Sequence, residues 1–503
     1  MNFIKEKIKG KKEIIIMFFY IIITFLIAIF FHEKWRDEAQ AWLLARDLNP
    51  LELFRQMKYE GHPFLWNLIL MPFAKLGFPY ITQSIISLII MWIAAWIFLK
   101  KATFNNFIKI TILLSLPVIY LYPVISRNYS LIPLALSMIA MLYKQRNEKK
   151  IQYIFSILLL AYTHILMWGL VGILYFIYFL EQIKEIIKHK ENKKENIKVI
   201  VGFCIAIIGL MVLIISLMGS TSANQGVNIS LELNKYISNT FFKKALYNLI
   251  GEFSNINILN EVFYFTFIII FIYEATIYRK NSLIMFVAIL WELVVFLFIY
   301  RDWAVQKTNT MFLILIFISW INLEEEKTKI VENKNKIMKF VLIYTCTVFL
   351  LLCDVNGLQN IMQEVNYIYS DSKYIGKFIN ENIEEDAIFV CMDMPRASAI
   401  IPYVNNRKFV DSVTIKEFTY VTWDENAYKR VSIEKAIKNA NEIYKKNQKV
   451  YLIESIYKEN ENNDIKELQE QNILSNVLYE TDLNKIYNDE AYKIYKINLE
   501  NII

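Results

Sequence analysis

Cysteine, glycine, proline and histidine are all scarce in this 503-residue chain: 4, 12, 9 and 4 copies respectively. Cys204, Cys346 and Cys353 lie in apolar runs and Cys391 stands alone further on, so no paired spacing suggests disulfides or a zinc site. The chain has no glycine-rich phosphate loop and no nucleophile elbow, which leaves nucleotide hydrolysis and serine-hydrolase chemistry without their parts. It also has no internal repeat and no long low-complexity linker. Basic residues do not interleave with aromatics as a nucleic-acid surface requires, so the net charge of +7 needs another explanation.

Apolar length is what the chain has. Apolar residues make up 56% of it and its mean hydropathy is +0.33. About 18 apolar residues in a row suffice to cross a bilayer. Ile14–Phe31, Ile81–Leu99, Val199–Met218, Val262–Tyr278, Ser282–Tyr300 and Phe340–Cys353 meet or approach that length. Tyrosines and tryptophans gather near the ends of these runs, where amphipathic rings favour the headgroup zone. Lys5, Lys7, Lys9, Lys11 and Lys12 precede the first run, which lacks a small-residue cleavage site and so reads as an uncleaved first span.

Charge then sets a topology. With the basic N-terminus in the cytoplasm, Ile14–Phe31 runs outward and His32–Tyr80 forms a first outer loop. Ile81–Leu99, Phe107–Ile125, Tyr129–Tyr143, Ile151–Thr163, Ile165–Leu180, Val199–Met218, Leu259–Tyr278, Ser282–Tyr300, Ala304–Ile321 and Phe340–Cys353 then alternate. The total is about eleven spans, and every strongly basic short loop falls on one side. This requires that His62–Phe78, broken by Pro63 and Pro72, lies at the interface and does not cross.

The chain changes character after Asp354. Ala387–Met392, Val450–Ile453 and Lys493–Leu499 read as strands, and Ser432–Lys446 and Asp464–Gln471 as helices. The expected fold class is therefore an α-helical polytopic membrane protein (residues 1–354) with a C-terminal extracytoplasmic α/β domain (residues 355–503).

Candidate chemistry lies at the outer ends. Asp37 and Glu38 open a helix whose apolar positions are Ala41, Leu44 and Leu48. Capping and the helix dipole favour acids there; a carboxylate held at the membrane surface is also placed to act as a general base. Glu60 and His62 flank a Gly61-containing turn, and three of the four histidines, His32, His62 and His164, adjoin outer helix ends. Arg127, in Ser126-Arg127-Asn128-Tyr129, either snorkels to lipid phosphate or neutralises the phosphate of a lipid-linked substrate. Arg301, Asp302 and Lys307 mark another outer end, with Lys307 about one turn inside the next span, where charge is costly. Lys243 and Lys244 are weaker candidates. Asp371, Asp393, Arg396, Asp411 and the Thr422-Trp423-Asp424 step read as solvated faces and caps, or as acceptor contacts over a cavity mouth.

The acidic pair after the first span, the Gly61-His62-Pro63 step into an apolar helix and the Arg127-Asn128-Tyr129 turn together resemble the GT-C membrane glycosyltransferases. They are similar to the bacterial branch that includes protein O-mannosyltransferase, aminoarabinose transferase and lipopolysaccharide core transferase relatives. The resemblance covers Ile14–Leu180 well and the later spans loosely. It implies a polyprenyl-phosphate sugar donor, a cell-envelope glycan, lipid or protein as acceptor, and inverting displacement at the outer face of the cytoplasmic membrane, with no nucleic acid involved. Asp37 and Glu38 are then the catalytic candidates, and Glu60, His62, Arg127, Tyr129, His164, Arg301 and Lys307 the substrate-binding ones. No protein-held metal is expected, though a divalent cation could bridge Asp37 to the donor phosphate. A transporter or flippase of lipid-linked saccharides, or a non-catalytic membrane scaffold, are the competing readings.

The topology makes a direct prediction. In intact cells, an impermeant thiol reagent should modify a cysteine placed at Asp37 and spare one placed at Lys144; reaction of both would overturn the arrangement.

Overall fold

The computed structural model describes residues 2–218, 279–296, 304–326, 336–423, 429–444, 447–456 and 463–502. The expected Leu259–Tyr278 span lies outside them, as do Lys243, Lys244, Arg301, Asp302 and Asp424.

Helix α1 (Asn2–Leu26) ends in a π-helical turn, Ile27–Phe31. Three short helices follow in the first loop: α2 (Arg36–Asp47), α3 (Pro50–Glu60) and α4 (Leu65–Lys75). The bundle continues with α5 (Thr82–Lys101), α6 (Asn106–Leu114), α7 (Leu131–Tyr143), α8 (Lys150–Ala161), α9 (Trp168–Lys188) and α10 (Lys193–Leu217). Beyond residue 278 come α11 (Arg279–Val295), α12 (Val305–Glu326) and α13 (Lys336–Asn366).

Four helical stretches among the described residues are long and apolar enough to cross a membrane: Gly10–Phe31, Thr82–Lys101, Ile165–Lys188 and Lys193–Leu217. Among the described residues this is fewer than the spans expected there, and local chemistry explains several of the differences. The expected Phe107–Ile125 span is broken: α6 stops before Pro117, which opens a single π-helical turn to Leu121, and Pro123 follows. Tyr129–Tyr143 and Ile151–Thr163 correspond to short apolar helices, Asn128–Tyr143 and Lys150–Ala161. The ends of α12 are polar, with Gln306, Lys307 and Asn309 near one and Asn322 and Glu324 near the other, leaving a shorter apolar middle. Helix α4 has 11 residues, about 16 Å of helix, half the thickness of a bilayer's hydrocarbon core.

Phe18, Phe19 and Ile22 on α1 and Ile207, Ile208 and Ile215 on α10 are exposed. Apolar belts of this kind on long helices suit lipid rather than water.

Side-chain pairings sort the helix ends into two sets. At one end Glu13 pairs with Lys100 at 2.8 Å, Arg146 with Glu181 at 2.8 Å, and Asn281 links Tyr143 (3.1 Å) to Asn322 (2.7 Å). At the other, Gln83 donates to the carbonyls of Glu38 (3.0 Å) and Ser126 (2.8 Å), Asn128 to that of Thr163 (2.8 Å), and Tyr122 to that of Gln306 (3.0 Å).

The boundary expected at residue 354 falls inside α13, which runs on to Asn366 before the sheet begins. In chain order the sheet region comprises β1 (Ile368–Ser370), α14 (Ser372–Asn382), β2 (Ile388–Cys391), β3 (Lys408–Asp411), α15 (Ile433–Ile443), β4 (Val450–Ile456), α16 (Asn463–Glu470), β5 (Tyr479–Glu480) and β6 (Ile486–Ile497). The strand order is β1-β6-β4-β2-β3, with β5 also on β6. β2 lies parallel to both β3 and β4, and all four of its residues are buried, as expected of an apolar strand covered on both faces. β6 is antiparallel to β4 and parallel to β1.

The sheet is docked against the bundle. Leu43, Leu53 and Trp66 of the first loop share one apolar core with Ile375, Phe389 and Tyr492 of the α/β region. The loop helices thus form a middle layer between bundle and sheet.

One close approach ties α13 to the broken helix. A Cβ on Gly357 would sit 2.7 Å from the Leu114 carbonyl oxygen and 3.0 Å from the Leu116 nitrogen. Neither backbone atom can rotate away. Gly357→Val should therefore lower stability by about 1–3 kcal/mol, read as a lower unfolding temperature in detergent.

Candidate functional site

The acidic pair divides. Glu38 is the third residue of α2, and one carboxylate oxygen reaches back to the Trp35 backbone N–H at 3.3 Å, half of a capping box. The same oxygen meets His32 Nε2 at 2.9 Å. The other accepts from the Ser126 N–H (2.8 Å) and hydroxyl (2.7 Å). Glu38 is 0% exposed, so it offers nothing to a substrate and its role is structural.

Asp37 points elsewhere. Its Oδ2 lies 2.7 Å from Arg127 Nη1, and its side chain is 26% exposed against 14% for Arg127. The guanidinium also lies 5.5 Å from the centroid of the Tyr129 ring. Tyr129 stacks on His164 at 4.8 Å and on Tyr122 at 5.7 Å.

Two imidazoles complete the cluster. Burial pushes His62 down to about 4, with Arg127 and Lys307 adding to the effect and Asp37 opposing it. His62 Nδ1 is buried without a partner. Burial also holds His164 well below its ordinary value, helped by His62, Lys307 and Arg127. Its Nδ1 accepts from the Leu166 N–H at 3.2 Å, the bond of a neutral ring where the chain breaks between α8 and α9. Burial disfavours the charge on Arg127, but Asp37 together with Tyr129, Glu38 and Tyr369 outweighs this and raises it. Lys307 lies in the first turn of α12. The mutual influence of these groups places Asp37, His62, Arg127, Tyr129, His164 and Lys307 in one neighbourhood at one end of the bundle.

Glu60 stands at the edge of this group, facing the sheet region. It is the last residue of α3, and Gly61 follows with φ 71°, the left-handed conformation that caps a helix without a Cβ penalty. Its Oε1 accepts from Gln40 (2.8 Å) and Gln56 (3.2 Å). Gln40 exchanges a pair of hydrogen bonds with the Val421 backbone (2.7 and 2.9 Å), and Gln56 donates to the Thr422 carbonyl. Burial pushes Glu60 up to about 7.

The sequence reading missed the network around His32. Its Nδ1 lies 2.8 Å from Glu364 Oε1 on α13, opposite the Glu38 contact. Glu364 also accepts from Tyr120 at 2.5 Å, and Tyr120 meets the Tyr487 hydroxyl at 3.1 Å. Burial alone would lower His32; the two carboxylates outweigh it and raise it to about 10. Glu38, pushed up by burial, is nonetheless held down by His32. Arg36, beside Asp37, pairs with Asp489 (2.9 Å) and Glu490 (3.2 Å) of β6. A histidine after the first span was visible in the sequence, but its partner Glu364 lies 332 positions away.

The tail residues are placed as caps and pairs: Asp393 holds Arg396 (2.7 Å) and Arg430 (3.0 Å), and Asp411 accepts from the Thr414 N–H (2.8 Å). Among the described residues, no group of three or more His, Cys, Asp or Glu side chains is placed to hold a metal ion.

Burial raises Glu490 to about 7, as it does Glu60. Between the ordinary carboxyl value and 7, both groups bind more protons folded than unfolded, so stability falls as pH rises through this window. His62 and His164, held low, push the other way over part of this range, so the check is a difference: between about pH 5 and 7 the wild type's unfolding temperature should fall relative to that of Glu490→Gln in a thermal-shift series.

No protein-family model matches the chain, and no curated protein matches it either.

Proposed function

We propose that this chain is a membrane glycosyltransferase that moves a sugar from a polyprenyl-phosphate donor to a cell-envelope acceptor, with inversion at the anomeric carbon. The observation that carries the reading is the partly open Asp37–Arg127 pair, with Lys307 and two neutral imidazoles beside it at one end of a bundle of apolar helices.

In this reading each group has one task. The donor phosphate engages Arg127 and Lys307, which stabilise the charge that grows on it as it leaves. Arg127 is thereby drawn from Asp37, freeing the carboxylate for the acceptor. The acceptor oxygen bonds to the anomeric carbon as that carbon's bond to the phosphate oxygen breaks. The acceptor's proton passes to Asp37, and the electron pair departs with the polyprenyl phosphate. His62 and His164, being neutral, add hydrogen bonds without adding charge.

Transport of a lipid-linked saccharide is the second reading, and Glu292 favours it. This residue is fully buried on α11, with one oxygen held by Thr310 at 2.6 Å and the other without a partner. Ionisable groups within apolar helices often mark a pathway. Among the described residues Asp354 on α13 is a second buried acid with an unpartnered oxygen, and two such acids argue less strongly than six polar residues gathered at one end.

Asp37→Asn keeps the shape and removes the base. It should leave protein abundance intact and reduce sugar transfer by about a hundredfold or more, measured as envelope glycan in a complemented deletion strain. Normal transfer by this variant would end the assignment and leave transport.

A further inference from the structure

His32 lies between two carboxylates on segments far apart in sequence, and one of these carboxylates touches both sides of the Asp37–Arg127 pair. Glu38 adjoins Asp37 in the chain, and its Oε1 takes both the backbone N–H and the hydroxyl of Ser126, the neighbour of Arg127. Its Oε2 is held by His32, which is held in turn by Glu364. We propose that His32 is a positioning residue that fixes the spacing of Asp37 and Arg127, acting through Glu38 on one side and anchored through Glu364 to α13 on the other. This rests on the glycosyltransferase reading only for what the fixed pair does; that the pair is fixed does not depend on it.

The chemistry of the contacts supports this role. His32 and Glu38 have fully buried side chains, as does Glu364. With a carboxylate facing each ring nitrogen, the ring donates twice as an imidazolium, and its plane is set from both sides. Tyr369 packs against it at 5.2 Å and Tyr120 holds Glu364 from the bundle side. Glu33, Lys34 and Lys373 add charge nearby. Removing the cation leaves two buried carboxylates without their counter-charge, which is strongly unfavourable. Glu38 must then turn or take up a proton, and either change loosens its grip on Ser126. Helix α13 thus acts on a site to which none of its described residues contributes.

Hydrogen–deuterium exchange of the full-length protein in lipid nanodiscs tests this without any assay of transfer. The Trp35 and Ser126 amides donate to Glu38, so segments 33–40 and 123–130 report on its grip. In His32→Gln, exchange in both should rise by about tenfold or more, while β2 and β4 exchange as before. Glu364→Gln, which leaves His32 one carboxylate, should raise exchange in the same two segments by a smaller factor. Unchanged exchange in those segments overturns the proposal, and so does an equal rise in β2 and β4, since that is general loosening. Where the wild type transfers sugar, His32→Gln should lower kcat at unchanged donor KM. Absence of transfer by the wild type would sink the enzymatic reading alone and leave the exchange result standing.

Discussion

A cation sealed from water must be matched by anions close by, because burying it unmatched costs more than most single contacts return. His32 is matched twice, at 2.9 Å by Glu38 and at 2.8 Å by Glu364. Those two acids lie on the first loop helix and on the last helix before the sheet. The charge pairing therefore brings the chain's two halves into register at one end of the bundle. Glu38 carries the constraint onward to Ser126, and Glu364 carries it to Tyr120 and Tyr487.

The same end shows why the sheet region docks as it does. The first-loop helices offer apolar surface to both sides, and the shared core runs from Trp66 into Phe389 and Tyr492. Around that core the contacts are charged or backbone-directed: Arg36 to Asp489 and Glu490, Gln40 to Val421, and the Ser372 hydroxyl to the Lys34 carbonyl. Apolar area supplies the driving force, while the polar rim sets the register. Arg36 gives its hydrogen bonds to the sheet, while its neighbour Asp37 pairs with Arg127.

Sequence legibility followed the range of the interaction. Strong local signals translated well: the long apolar helices at Gly10–Phe31 and Lys193–Leu217, and the strands at Ile388–Cys391 and Val450–Ile456. The sequence put His62, Arg127 and His164 beside helix ends, which is a local signal. Three short strands, β1, β3 and β5, carry two to four residues each and little alternation to detect. Among the described residues fewer helices are long enough to span than expected, because apolar composition does not reveal where prolines or polar turns cut a helix short, as at Pro117 and Pro123. The partnership of His32 with Glu364 was illegible, since no local pattern encodes a contact across 332 positions.

Asp37 and Glu38 show how one acidic pair can hold two roles. Successive residues on a helix point about 100° apart, so two carboxylates in the first turn of α2 cannot serve the same partner. Glu38 turns inward to cap the helix and to meet His32, and burial forces every acceptor site to be used. Asp37 turns outward and keeps part of its surface in contact with water. Capping and surface chemistry are rival explanations for a single acid but compatible ones for adjacent acids. The helix that the inner carboxylate secures is the support on which the outer one is presented.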